Sequence, residues 1–198
     1  MHSRARSVWA GGAVAGATAL LSAQAQAIDI GTIDVRYQAG VYRVQFAAEL
    51  TAPPDAVGRV LEDYARYPEL DARIEESRLL ASPAGSLPRL YTRLKGCLNR
   101  FLCRSMVRIE VLQESPGELI ATAIPDLSDV RTSVTHTQWQ ASARGTRVTY
   151  SLALDPKFWV PALFARRAMI ETMRDGTVGM FTSVERVARE LPASGNGG

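Results

Sequence analysis

The sequence predicts an α+β fold in which a curved antiparallel sheet wraps around one long C-terminal helix. Six strand-like segments follow one another between Ile74 and Asp155, separated by short turn clusters. A single long helical pattern then runs from Phe158 to Pro192. A run of strands followed by a helix is typical of the α+β class. A sheet that curls around one side of a helix leaves an apolar space between them unless large side chains fill it.

The first 27 residues predict a secretory signal peptide. Arg4 and Arg6 precede an apolar stretch at Val8–Leu21, and small residues suit cleavage after Ala27. The apolar stretch has about 14 residues, fewer than the roughly 20 that a transmembrane helix needs. The alternative is an uncleaved anchor. We expect secretion, into the periplasm of a bacterium.

The composition of the chain after residue 27 limits the classes of partner that it can bind. The chain carries 23 Lys and Arg against 20 Asp and Glu, and loss of Arg4 and Arg6 lowers the basic count to 21 and the net charge from +3 to +1. A near-neutral chain disfavours a nucleic-acid partner. Residues 28–191 are long enough for one domain with its own core, and the tail 192–198 is predicted to be disordered. We expect a monomer.

A hairpin and a short helix open the domain. Two alternating runs joined at residues 38–40 predict the hairpin, whose second strand places Tyr42, Val44 and Phe46 in one phase. In "TAPPDAVGRVLEDYARYPEL", Pro54 suits a first helical turn and apolar residues recur at helical spacing up to the Tyr67–Pro68 step, which is predicted to end the helix.

Six strands are predicted to follow. Because their connections are short, successive strands should be antiparallel neighbours. Their approximate bounds are Ile74–Leu80, Arg89–Leu98, Leu102–Glu114, Glu118–Ile124, Val130–Ser142 and Arg147–Leu154.

Both cysteines, Cys97 and Cys103, flank one of these hairpin turns. In an oxidising compartment such a pair predicts a disulfide, which would contribute about 2.4 kcal/mol by closing a loop of about seven residues. The spacing differs from the two intervening residues of a thioredoxin-type redox pair. With His136 as the one further soft ligand after residue 27, we expect no metal site.

The last helix carries an apolar stripe that includes Met173, and Pro161 suits its first turn. Gly176 and Gly179 lie in its middle. Each glycine costs up to about 1 kcal/mol relative to alanine in a helix, which indicates close packing or space left for something else.

The chain resembles the START-like superfamily, also called SRPBCC or helix-grip, and particularly its polyketide cyclase and coenzyme Q-binding branch. The resemblance covers Val41–Leu191 and rests on "AAELTAPPDAVGRVLEDYARYPEL", "THTQWQASARGTRVTYSL" and "DPKFWVPALFARRAMIETM". The signal peptide and the cysteine pair resemble a secreted bacterial subgroup. The resemblance implies a helix-grip fold with a cavity, but the superfamily includes lipid carriers, hormone receptors, cyclases and dioxygenase domains.

Several side chains are candidate ligand contacts. The resemblance puts Tyr64 and Tyr67 where the family's cavity opens, although plain packing is the alternative. Trp159, Phe164 and Met173 give the last helix large, adaptable side chains that either contact a ligand or fill the core.

The strand around Trp139 leaves two alternatives. Arg131, Ser133, Thr135 and Thr137 share its phase, so they either line the cavity as a polar track for an anionic or carbonyl head group, or face solvent. His136 has the opposite phase and is predicted to lie on the surface if Trp139 faces inwards.

The cysteine hairpin is locally basic, which indicates either transient contact with a membrane surface bearing anionic head groups or an ordinary solvated face. The basic residues are Arg93, Lys95, Arg100, Arg104 and Arg108.

Taken together, these features predict a periplasmic binding or carrier protein for a hydrophobic small molecule: a lipid, an isoprenoid quinone or a polyketide-like compound. We expect no cofactor and no catalytic residue, because the sequence offers no recognisable nucleophile, acid–base or metal constellation. The alternative is a cyclase or dehydratase-type enzyme acting in the same cavity. A third interpretation is a protein whose helix simply fills the sheet.

Overall fold

A computed structural model describes residues 28–97, 103–158 and 165–192, without the side chains of Cys97 and Ala165. The predicted signal peptide, Pro161 and the predicted disordered tail therefore fall outside the described residues, apart from Pro192. Within those ranges, no helix combines the length and apolarity that crossing a membrane requires.

The chain forms eight strands and three α-helices in these ranges. Two strands, β1 (Asp29–Gln38) and β2 (Val41–Leu50), precede helices α1 (Pro54–Leu61) and α2 (Tyr67–Leu70). The remaining elements are β3 (Ile74–Leu80), β4 (Arg89–Cys97), β5 (Cys103–Ser115), β6 (Glu118–Ala123), β7 (Val130–Ser142), β8 (Gly145–Pro156) and α3 (Ala165–Glu190).

All eight strands belong to one antiparallel sheet, in the order β1-β2-β8-β7-β6-β5-β4-β3. The predicted α+β helix-grip class is therefore confirmed. One local prediction is wrong, because the Tyr67–Pro68 step begins α2 rather than ending a helix. Pro68 stands in the first turn of α2, where the missing N–H group needs no partner.

Helix α3 packs against α1, α2, β1 and β2. Phe181 in its C-terminal half is fully buried, and its ring stacks on Phe46 with centroids 4.8 Å apart. Tyr150 meets Phe181 edge to face at 5.5 Å. This half of the helix is thus packed against the sheet.

Glu185 fixes the same half of α3 to the segment before α1. Its side chain is buried, and its Oε2 accepts hydrogen bonds from the backbone N–H groups of Thr51 and Ala52, each at 3.1 Å. The Thr51 hydroxyl donates to Oε1. A buried carboxylate needs such donors, so Glu185 is an anchoring residue of the fold.

Candidate functional site

A polar network lies on the inner face of the sheet. Arg108 and Glu110 alternate with apolar residues along β5, so both side chains point towards the core, with exposed fractions of 14% and 3%. Arg108 Nη1 lies 3.7 Å from Glu110 Oε1 and donates to Ser133 Oγ at 3.3 Å. Ser133 Oγ in turn donates to Glu110 Oε1 at 3.2 Å. The inner face of the sheet therefore carries a buried ion pair bridged by the Ser133 hydroxyl.

A row of polar groups extends this network across the sheet. Ser77 pairs with Thr92, and Thr92 pairs with Arg108, in the registers of β3, β4 and β5. Ser77 Oγ, Thr92 Oγ1 and Arg108 Nε are buried without a hydrogen-bond partner among the described residues. Buried polar groups are normally paired. These three groups are therefore available to donate hydrogen bonds to ligand atoms.

Two phenols interact electrostatically with the network. Burial raises the pKa of Tyr150 to about 12, while Arg108 lowers that pKa and Glu110 raises it. Burial also raises the pKa of Tyr67 well above its usual range, and its hydroxyl donates to the Leu61 carbonyl at 2.8 Å. Both phenols stay protonated at neutral pH, so they act as hydrogen-bond donors and not as bases.

Apolar side chains border the polar network. Leu94 and Met106 face inwards on β4 and β5 and are only half-buried. A groove of about 470 Å³ separates residues 70–73 from α3, and its lining residues come from these two parts of the chain. We call it the Arg73 groove; Arg73, Thr172, Gly176, Gly179 and Met180 are among its lining residues.

Most of the predicted contact residues that the structure describes are buried. Tyr64 donates its hydroxyl to Glu114 and meets Tyr67 edge to face, with centroids 5.5 Å apart. Trp139 packs on Gly58, where a Cβ atom would lie 2.8 Å from the indole Nε1. Met173 belongs to a second apolar cluster, whose other buried members are Val35, Tyr42, Val44, Ala123, Val130, Leu152 and Leu154. Trp159 and Phe164 lie outside the described residues.

Arg131 does not share the inward phase of Trp139. Ser133 and Thr137 are buried with Trp139, whereas the Arg131 side chain is 59% exposed and pairs with Asp155 at 3.0 Å. The reason is an irregularity in the β7–β8 register between residues 130 and 132, which shifts the alternation at the start of β7. A ligand contact by Arg131 stays a prediction, and this position does not support it.

The basic face predicted around the cysteine hairpin is smaller than the sequence indicates. Arg108 points inwards, and Arg93 forms ion pairs with glutamates of β3 at 3.2 and 3.5 Å. Lys95 and Arg104 are exposed, the latter over the ring of Phe158 at 5.0 Å. Arg100 lies outside the described residues.

Sequence reasoning did not predict that Arg108 and Glu110 form an ion pair on the inner face of the sheet. Its basic neighbours made Arg108 a surface candidate. The available signal was the alternation of Met106, Arg108, Glu110 and Leu112, which puts two opposite charges in the phase of two apolar residues. That pattern predicts an inward-facing ion pair once the strand is assigned.

His136 lies on the face opposite Trp139, as predicted. Its Nε2 is 2.7 Å from Glu118 Oε1, and its side chain is partly exposed. The hydrogen bond with His136 is the main cause that lowers the pKa of Glu118. Among the described residues, no group of three or more His, Cys, Asp or Glu side chains is arranged to hold a metal ion.

The two cysteines are direct register partners at the end of the β4–β5 ladder. The turn between them, residues 98–102, lies outside the described residues. The disulfide stays a prediction that this register supports.

A family model described as "Polyketide cyclase / dehydrase and lipid transport" matches residues 42–185. No curated protein matches the chain.

Several solved structures are similar in fold. A START superfamily protein from Mycobacterium smegmatis has a TM-score of 0.58 at 16% identity, covering 76% of this chain and 99% of that one. The Zhui aromatase/cyclase from Streptomyces sp. R1128 has a TM-score of 0.57 at 15% identity, covering 78% and 98%. A STAR-related lipid transfer protein from Xanthomonas axonopodis (fragment 25–204) has a TM-score of 0.54 at 16% identity, covering 79% and 98%. At these identities the likeness concerns the fold.

Proposed function

We propose that this chain, which belongs to the polyketide cyclase / dehydrase and lipid transport family, binds a hydrophobic small molecule between its sheet and α3 and carries it without transforming it. The single observation that carries the proposal is the buried Arg108–Glu110 pair, with unpartnered donors beside it and half-buried apolar side chains around it. Donors without partners cost free energy in the core, and a ligand oxygen offsets that cost.

The ligand has an uncharged oxygen-bearing head group. Arg108 is already neutralised by Glu110, so a carboxylate or phosphate beside them would leave a net negative charge in the interior. Repulsion from Glu110 at about 4 Å amounts to about 4 kcal/mol at an effective dielectric constant of 20 and offsets the attraction of Arg108, so an anionic head group loses its hydration without a net electrostatic gain. A hydroxyl or a carbonyl avoids this repulsion and accepts from Arg108 Nε and Thr92 Oγ1. Sterol-like or fatty alcohols, isoprenoid quinones and polyketide-like carbonyl compounds fit this chemistry, whereas free fatty acids do not.

The supporting experiment compares two ligands with one chain length. Dodecanol should bind at least about tenfold more tightly than dodecanoate at neutral pH, because tenfold corresponds to only about 1.4 kcal/mol, whereas burying a carboxylate costs several kcal/mol of hydration. Arg108→Met should weaken dodecanol binding. Arg131→Met is the matched control, since that arginine is exposed and pairs with Asp155. Tighter binding of the carboxylate would refute the head-group assignment, and failure of both ligands to bind would refute the carrier.

The alternative function is a cyclase or dehydratase-type enzyme in the same space. Tyr150 favours it to a limited extent, because a protonated phenol next to a charged pair can polarise a carbonyl. An enzyme would convert the co-purifying compound on incubation, and Tyr150→Phe would leave it unconverted. Mass spectrometry of organic extracts of the native protein distinguishes a carrier, which returns one unchanged compound, from an enzyme.

We also propose export and a transient membrane contact. Export rests on the N-terminal pattern, and N-terminal sequencing of the exported protein should begin at Ile28. The membrane contact rests on the exposed Lys95 and Arg104. Sedimentation with anionic vesicles should weaken in a Lys95→Gln and Arg104→Gln double variant, and unchanged sedimentation would remove this part of the proposal.

A further inference from the structure

Strand β1 forms one edge of the sheet. It is the first strand in the spatial order and pairs with β2 alone, so the backbone groups along its outer side have no backbone partner among the described residues. Proteins usually protect such an edge with proline, lysine, an inward-pointing charge or a short strand. The ten residues of β1 include no proline and no lysine, and their register with β2 is regular from Thr32 to Gln38. This edge is therefore able to pair with a further strand.

The inner face of β1 is only partly covered. Val35 is buried in the second apolar cluster, whereas Ile33 and Tyr37, which share its phase, are half-buried. The Tyr37 ring packs on Tyr42 with centroids 4.7 Å apart and lies under the guanidinium of Arg166 at 4.2 Å. Helix α3 thus reaches β1 but leaves part of its apolar face open.

The outer face of β1 carries two opposite charges. Asp34 and Arg36 flank Val35 and form an ion pair at 2.7 Å, with side chains 41% and 77% exposed. In the register with β2, Arg36 lies opposite Arg43. Like charges directly opposite one another in a sheet are destabilising. A carboxylate on the free side of Arg36 would therefore offset this repulsion.

The pattern of β1 is complementary to itself. If two copies of the strand run antiparallel with Val35 opposite Val35, Asp34 of each copy lies opposite Arg36 of the other. This register spans Thr32 to Gln38, which is the regular part of the strand. Sliding one copy by two residues in either direction puts Asp34 opposite Asp34 or Arg36 opposite Arg36. Opposite charges in facing positions stabilise a sheet and like charges destabilise it, so the charges of β1 select one symmetric register.

We propose that two copies of this chain join through β1 as an antiparallel pair with its two-fold axis at Val35, so that their two eight-stranded sheets become continuous. In this pairing the half-buried Ile33 of each copy lies opposite Tyr37 of the other, and the same surface is used by both copies. The family match begins at residue 42, so the interface lies in a strand that precedes the matched part. The dimer replaces the monomer expected from the sequence and does not depend on the proposed binding function.

Charge reversal tests this register in the exported chain without ligand. Analytical ultracentrifugation of wild type should show a monomer–dimer equilibrium. Asp34→Arg and Arg36→Asp each convert two opposite-charge pairs into two like-charge pairs, so each variant alone should dimerise at least about tenfold more weakly. An equimolar mixture of the two variants should dimerise again, because the arginines of one chain then face the aspartates of the other. The matched control is Arg78→Asp on β3, the opposite edge, where an exposed arginine also pairs with an acidic residue two positions earlier; it should leave the equilibrium unchanged.

Each outcome bears on the inference. Recovery of the dimer in the mixture supports it and excludes unfolding of the variants as the cause of the single losses. A wild-type chain that stays monomeric up to about 1 mM overturns it. A wild-type dimer that persists in both variants assigns dimerisation to another surface, and loss in each variant without recovery in the mixture shows that the two charges do not face each other; either result overturns the β1 pairing.

Discussion

Replacing Arg108 by methionine tests whether the polar network is a buried charge pair. The change leaves Glu110, 3% exposed, with the Ser133 hydroxyl as its remaining hydrogen-bond donor among the described side chains. Breaking a buried ion pair from one side costs about 3–5 kcal/mol. Because Arg108 is itself 14% exposed, we expect the lower end, about 3 kcal/mol. In a domain of this size each kcal/mol lowers the melting temperature by about 2–4 °C, so the loss should be about 10 °C.

The measurement is urea and thermal unfolding of Arg108→Met, of Arg108→Met combined with Glu110→Met, and of Arg131→Met. The double variant should recover to within about 1 kcal/mol of wild type, since two apolar side chains replace both charges and no lone ion remains. Arg131→Met removes an exposed ion pair and should cost less than about 1 kcal/mol.

A melting temperature within about 2 °C of wild type in Arg108→Met would refute the reasoning, because a lone buried carboxylate is more costly than that. Glu110 would then be in contact with water, and the repulsion that excludes charged head groups would be much weaker. The stability result therefore bears directly on the proposed ligand class.

Three further predictions follow from other contacts. Glu185→Ala leaves two backbone N–H groups before α1 without their acceptor and should cost about 3 kcal/mol in urea unfolding; a loss below about 1 kcal/mol would contradict its anchoring role. Non-reducing peptide mapping of exported protein should recover Cys97 and Cys103 in one linked peptide pair, and alkylation of both thiols without prior reduction would contradict the disulfide. Burial, and then Glu114, raise the pKa of Glu62, so its ionised form is disfavoured in the folded state and its stabilising contribution is lost as pH rises. Glu62→Gln should therefore melt slightly higher than wild type near pH 7 and equally near about pH 4, and the reverse order would contradict this sign.

Strand alternation and turn residues were enough to predict the sheet. They placed β3 correctly from Ile74 to Leu80 and gave the other strand ends to within a few residues. They also put Trp139 in one phase with Ser133 and Thr137, which the structure shows to be the buried one. Alternation works here because each of these strands has one face on the core.

The same reasoning failed where a contact depends on geometry between distant residues. A register irregularity turns Arg131 outwards, and no local residue pattern predicts that irregularity. Gly176 was recognised as unusual, but its partner Arg73 is about a hundred positions earlier in the chain and is defined only once α2, β3 and α3 are assembled. Arg108 was assigned to a basic surface because its neighbours are basic. Its position in the alternation of β5 would have placed its side chain on the inner face.

The uneven burial of α3 has a consequence for how this sequence can diverge. Its C-terminal half holds Phe181, Val184 and Glu185, which fasten the helix to the rest of the fold. Another face of the helix, which includes Thr172, Gly176 and Met180, lines the Arg73 groove. A substitution at Thr172 thus changes the shape of the groove without removing the buried contacts of Phe181 and Glu185. One helix in this way combines positions that hold the chain in its fold with positions whose side chains can vary at little cost in folding free energy.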